Sequence, residues 1–170
     1  MDNQTQREKI EKLRELIKGI DIAMLTTIDE NGNLRSRPMG TQEVEFDGDL
    51  WFLTSVDTVK VSEIERENRV NVSYGGGKDR YVSVSGTAVV LNDRAKIKEL
   101  WSPIYKAYFP EGLDDPNLRL LKIEVQQAEY WHTPGGIVAT IIAFAQAMAG
   151  KETEMGENEK LQLDNTATSG

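Results

Sequence analysis

Two short stretches hold the side chains best placed to do chemistry. In "NLRSRPMG", Arg35 and Arg37 stand two residues apart, so on a strand both point to one face, about 7 Å from each other. Like charges so placed favour water or an anion between them. Pro38 follows and removes a ladder donor, which marks a strand edge or a bulge. In "LTSVDTVK", residues 53–60, a strand end passes through a Ser/Asp/Thr loop into a helix start, and Lys60 falls in the first helical turn. A cation there opposes the helix dipole by ~0.3–1 kcal/mol. The hydroxyls of Thr54, Ser55 and Thr58 and the free backbone N–H groups of the helix start face one concavity, where an anion is welcome. With that anion present, Lys60 pairs with it. A lysine extending into water and a solvated Arg-x-Arg face are the plainer alternatives.

Other chemistries have less to work with. The chain has no cysteine, which excludes disulfides, thiolate metal sites and cysteine nucleophiles. His132 is its one histidine, and no "GxSxG" elbow supplies a serine for a triad. Beside Trp131 it reads as a structural histidine. Trp51, Trp101 and Trp131 suit core or interface positions, or stacking on a ring ligand. "DENGN" resembles the start of a calcium loop, but Leu34 stands where glycine is needed and Gly40 where glutamate is needed. "GGGK" lacks the spacing of a phosphate loop, and Asp79 follows Lys78.

The elements that must position these residues follow from periodicity. Ile10, Leu13, Ile17 and Ile20 recur at helical spacing, with "TQRE" (Thr5 to Glu8) in the form of a capping box and Gly19 placed to end the helix. From Ile22 the runs "IAMLTTI", "LRSRPMGTQEVEF" and "LWFLT", separated by turns, predict a three-strand meander. After the Lys60 helix, "RVNVSYG" and "YVSVSGTAVVL" predict a hairpin. Residues 93–108 predict a second amphipathic helix with Asp93 as N-cap. "LRLLKIEVQQAEYWH" predicts a strand pair or one bent strand, and 136–150 an apolar helix shorter than the ~20 residues that span a bilayer. The order is not βαβ, so a small, mainly antiparallel barrel flanked by helices fits best. Within 170 residues one domain is expected over 1–150, and 151–170 reads as an acidic, largely disordered tail in which only "KLQL" could add an edge strand. Acidic residues outnumber basic ones 28 to 20, which disfavours nucleic acid and anionic membrane as partners. The charged N-terminus lacks a signal-peptide core, so a cytoplasmic location is expected.

The run "IAMLTTIDENGNLRSRPMG…DGDLWFLTSVDTVKVSEIERENRVNVSY", followed by "YVSVSGTAVV", resembles the pyridoxamine 5′-phosphate oxidase-like split-barrel FMN-binding family, general stress protein branch. The resemblance spans residues 5 to about 133 and takes in "MGENEKLQL". It implies a mainly β (α+β) fold, a six- to seven-stranded antiparallel split barrel with flanking helices. It implies a homodimer with FMN at the subunit interface. On it, Arg37 would meet the FMN phosphate, Pro38, Met39 and Gly40 would line the flavin, and Gln42 would sit near its polar edge. Leu53, Thr54 and Ser55 would lie by the flavin and ribityl chain, and Thr58 and Lys60 on the phosphate. Trp131 would approach from the partner subunit. The family often has Arg-Lys where this chain has Val59-Lys60, so one expected cation is missing. The oxidase itself carries arginine and histidine in a C-terminal substrate segment. Here "EYWHTPGGIVATIIAF" has no arginine, and pyridoxine phosphate oxidation is not implied. The resemblance leaves an FMN-dependent oxidoreductase of unknown substrate, with no evident general base, and a flavin-binding or sensing stress protein without turnover. Haem or a deazaflavin is a further alternative for the same barrel, haem having only His132 as an obvious axial ligand.

Overall fold

Alternation sets the sheet. In β1 (Ile22–Ile28) Ala23, Leu25 and Thr27 are buried while Ile22 and Met24 are exposed, the period-two pattern of a strand with one face on a core. The computed structural model describes residues 3–42, 46–76, 80–132, 146, 148–150 and 157–163. Around β1 the chain runs α1 (Asn3–Ile17), β2 (Leu34–Gly40), β3 (Asp49–Ser55), α2 (Val59–Arg66), β4 (Arg69–Gly76), β5 (Arg80–Leu91), α3 (Arg94–Leu100), β6 (Leu118–His132) and β7 (Glu157–Gln162). One seven-stranded sheet results, in the order β2-β1-β4-β5-β6-β3, with β7 also beside β6. Every pairing is antiparallel. This is the α+β, mainly antiparallel sheet that the pattern predicts, open in the manner of a split barrel.

β6 is the spine. β5 runs along one of its edges, while β3 pairs Leu118–Glu124 on the other and β7 pairs Gln127–His132 beyond it. Between these two halves the register skips Gln126 opposite Ser85 and Gly86, a bulge. The Gln126 carbonyl accepts from the Leu163 amide at 2.8 Å. Position 86 must be glycine here, because a Cβ would stand 2.1 Å from the Glu124 carbonyl oxygen.

Two cores hold β3 between them. Inside the sheet, Leu25, Phe52, Val72, Val84 and Ile123 are among the residues of the main core. Outside, Leu53, Ile97, Leu100, Phe109, Leu118 and Leu120 form a second one under α3. Each fully buried leucine contributes about 2 kcal/mol. The double burial of β3 explains the first difference from expectation: it does not continue the β1–β2 hairpin as a meander but pairs with β6. β2, mostly exposed, offers no such burial.

Other differences are local. α1 begins at Asn3, so the "TQRE" box lies inside the helix, although Gly19 (φ 76°) follows its end as expected. α3 stops at Leu100, and Pro103 opens a separate 3-10 turn over Pro103–Ala107. Asp93 does cap α3, accepting from the Lys96 amide at 3.0 Å. Shortening the helix leaves Ile104 and Tyr108 exposed, not on an inward stripe. β6 is one bulged strand. β7 includes the expected "KLQ" segment and starts earlier, at Glu157. Most of the apolar helix expected over 136–150 lies outside the described residues. No helix among the described residues is long and apolar enough to cross a membrane.

Candidate functional site

β2 and β3 end the sheet order, and α2 packs across β1 and β5 beside them. On its inward face α2 places Val61, Ile64 and, between them, Glu63, only 3% exposed. The Glu63 carboxylate accepts from Thr27 Oγ1 at 2.6 Å and Arg37 Nη2 at 2.9 Å, and at 3.4 Å from Arg35 Nη1. Arg37 Nη1 donates in turn to Thr27 Oγ1 at 2.5 Å. Alternation on β2 therefore does bring both arginines to one side, and that side is inward. A buried carboxylate keeps its charge only when paired in this way.

Lys60 lies one helical turn before Glu63. It is half-buried and makes no ion pair or hydrogen bond among the described residues. Its pKa is lowered, first by burial and then by Arg37, with Asp57 pulling the other way. An ammonium losing water beside a guanidinium gains most from an anion placed between them. Thr54 adds a second sign of an unfilled partner, being 3% exposed with Oγ1 unbonded. The other hydroxyls are engaged: Ser55 Oγ donates to the Asp57 carboxylate, and Thr58 Oγ1 to the Ser55 carbonyl at 2.8 Å. Thr58 is the N-cap of α2, in extended conformation, but its side chain makes no cap bond. The helix start thus gets no capping acceptor from it.

The structure divides the remaining expected site residues. Met39 is buried on the same inward side as Arg37, whereas Pro38 and Gly40 are exposed on the opposite face. Leu53 turns into the second core. Gln42 lines a different cleft of about 260 Å³ with Arg14, Lys18, Trp51 and Tyr74, and its Nε2 is buried without a partner. Glu11, Glu15, Asp21 and Asp49 on that cleft outnumber its two cations, so a phosphate is better served beside Arg37 and Lys60. Trp131 stands opposite Tyr81 on the outward face, both exposed. Gly40 pairs with Ile22, Gly75 with Tyr81 and Tyr81 with Trp131. Four strand spacings, about 19 Å along the sheet, separate Trp131 from Gly40.

Sequence reasoning passed over Glu63, Thr27 and Tyr81. A signal for Glu63 was available, a carboxylate at i+3 from Lys60 flanked by Val61 and Ile64 on the apolar stripe of a helix. Thr27 carried a weaker one, as the polar member of the alternating set Ala23, Leu25, Thr27. In the "DENGN" turn Asp29 accepts from the Asn31 and Asn33 amides, each at 2.9 Å, and closes the turn itself. Among the described residues no group of carboxylates and histidine could hold a metal.

Known proteins can be set beside this geometry. Residues 8–154 match the family model described as pyridoxamine 5′-phosphate oxidase like. Protein bli-3 of Neurospora crassa is 28% identical over 170 residues, 89% of this chain and 81% of that protein. A crystal structure of the general stress FMN/FAD binding protein of Xanthomonas citri is similar at 32% identity and a TM-score of 0.63, covering 74% of this chain and 89% of that one. The fold also matches a Clostridium acetobutylicum protein related to general stress protein 26, of the pyridoxinephosphate oxidase family. That match has 21% identity and a TM-score of 0.67, over 96% of this chain and 97% of that one. With the matched region running from within α1 to beyond β6 and the sheet order on the page, the chain belongs to the pyridoxamine 5′-phosphate oxidase-like family.

Proposed function

We propose that the protein is a homodimeric, FMN-dependent oxidoreductase of the stress response, acting in the cytoplasm, with the flavin phosphate beside Arg37 of β2 and Lys60 of α2. The observation carrying this reading is Lys60, half-buried beside Arg37 and without an ion pair among the described residues, Asp57 acting on it only from a distance. The unbonded Thr54 hydroxyl fits a ribityl or phosphate oxygen. Val59, where the family often offers a cation, is exposed. Arg35 compensates by reaching the same carboxylate as Arg37. The FMN/FAD binding description of the Xanthomonas citri protein supports a flavin as the anion's bearer.

Bound flavin would supply two-electron carrier chemistry. The chain's part is to bind and orient: Arg37 and Lys60 on phosphate, Pro38 and Gly40 along the outward wall. Trp131, too far along the sheet to reach Gly40's surroundings, would serve a second copy. Exposed Ile22, Met24, Tyr81 and Trp131 on that outward face give a dimer apolar surface to cover.

One observation favours binding or sensing without turnover. Among the described residues, the one buried ionisable carboxylate near this cluster, Glu63, is held by two arginines and a threonine and is poorly placed to shuttle protons. The test begins with the purified protein. We expect a yellow preparation whose flavin, released by denaturation and identified by chromatography, is FMN at about one per chain, and which oxidises NADH or NADPH with an acceptor faster than free FMN does. Rates no faster than free FMN would select the binding reading. A colourless protein that leaves FMN fluorescence unquenched would contradict both, and a released deazaflavin would correct the cofactor.

A further inference from the structure

We propose that Glu63 is the internal counter-anion of this cluster, a positioning residue that holds Arg37 and Arg35 when no phosphate is bound and limits how tightly one binds. The inference rests on the phosphate reading above and concerns what sets the site's affinity. A carboxylate at 3% exposure behind an anion site is a paradox on its face. It would repel a bound phosphate, since unit charges a few ångströms apart in a partly buried site interact far more strongly than in water. Its neighbours explain why it is tolerated. Arg35 and Arg37 converge on it, and Lys60 stands by Arg37 with Asp57 acting on it from the other side. Without Glu63 the interior side of that group would have no negative charge.

The bonds differ in a way that assigns roles. Arg37 is fixed twice, by Nη2 to Glu63 at 2.9 Å and by Nη1 to Thr27 at 2.5 Å. Its remaining N–H groups, of the five a guanidinium carries, stay available in a set orientation. Arg35 is half-exposed and its bond is long, 3.4 Å. It is the arm that can leave Glu63 for a phosphate at small cost, which replaces the cation missing at Val59. Thr27 shares the load by donating to Glu63 while accepting from Arg37.

The decisive variant is Glu63→Gln, which keeps the shape and an acceptor while removing the charge. Isothermal titration with FMN and riboflavin should show FMN binding roughly 5- to 10-fold tighter and riboflavin changed less than about twofold. The melting temperature of the flavin-free variant should fall, and added inorganic phosphate should raise it more than it raises the wild type. Weaker FMN binding, or equal shifts for both flavins, would overturn the proposal. Thr27→Val provides the opposite sign: stripped of that donor, Glu63 draws Arg37 inward, and FMN should weaken about threefold with riboflavin unchanged. Unaltered FMN affinity there would overturn it too, and this variant decides if Glu63→Gln does not fold. Should the wild type bind no flavin, the flavin reading fails by itself. The phosphate melting shift then judges Glu63, supporting it if larger in Glu63→Gln and overturning it if equal or smaller.

Discussion

At the Asp49 end of β3, Lys122 lies 3.3 Å from Asp49 and 3.3 Å from Glu124, so one ammonium sits between two carboxylates. Trp51 adds its ring face at 5.8 Å from the same ammonium. Towards the Ser55 end, Arg35 and Arg37 share the single buried carboxylate of Glu63, and Lys60 stands by Arg37 with no ion pair among the described residues. The first end sets one lysine between two part-exposed carboxylates and the second sets two arginines on one buried carboxylate with a lysine beside them, so the sign of the imbalance is reversed. The pKa directions follow. Burial works against the charge on Lys122, but Asp49 and Glu124 outweigh it and its pKa is raised. At Lys60 burial and Arg37 act together and the pKa is lowered. The first cluster is matched within the chain, whereas at the second Lys60 has no ion pair among the described residues. That contrast, more than the presence of basic residues, singles out the second cluster as the candidate site.

Breaking the contrast most severely means removing Arg37. Arg37→Gln strips the principal cation from a buried carboxylate and should lower the unfolding free energy by about 3 kcal/mol in urea titration. It should also weaken FMN by roughly 100-fold while riboflavin changes far less. Lys60→Met should separate binding from stability. We expect FMN to weaken at least about tenfold, with the flavin-free protein unchanged or more stable by ~0.3–1 kcal/mol, because a cation opposing the helix dipole has gone. The matching change at the other end, Lys122→Met, should reverse that outcome, costing about 1 kcal/mol of stability and leaving FMN affinity unaltered. A Lys122→Met variant that loses FMN, or a Lys60→Met variant that unfolds early, would erase the distinction between the ends.

Much of this was legible before the fold was known. Period-two reasoning put Arg35 and Arg37 on one face, and the Ser/Asp/Thr run before Lys60 marked the helix start, because both depend on neighbours in sequence. Glu63 escaped because its meaning depends on Thr27 and Arg37, 36 and 26 residues away. β3's partner escaped for the same reason. A hairpin is the local default, but burial of Phe52 on one side and Leu53 on the other requires two cores, and β6, beyond β5 in the sheet order, supplies the edge between them. The end of α3 was written at Pro103, yet Ile104 and Tyr108 continued the apolar spacing and masked it. The alternation that joined the arginines also separates Met39 from Pro38 and Gly40, so a run of adjacent residues cannot line one surface.

A smaller effect sharpens the comparison through pH. Lys60 has a folded-state pKa below its unfolded value, so between the two the unfolded chain binds more protons and stability rises with pH. Lys122 has the opposite shift. Its contribution is full below the unfolded pKa and is lost as pH rises through the folded one. Alkaline denaturation curves of Lys60→Met and Lys122→Met should therefore depart from the wild type in opposite directions.

We propose that the cluster of Arg35, Arg37 and Lys60 takes the phosphate of a flavin. Parallel titration of the flavin-free protein with FMN and riboflavin tests it most directly. The account expects FMN to bind at least about 100-fold tighter, the worth of two charge-assisted contacts to one phosphate. Equal affinities for the two flavins would contradict it.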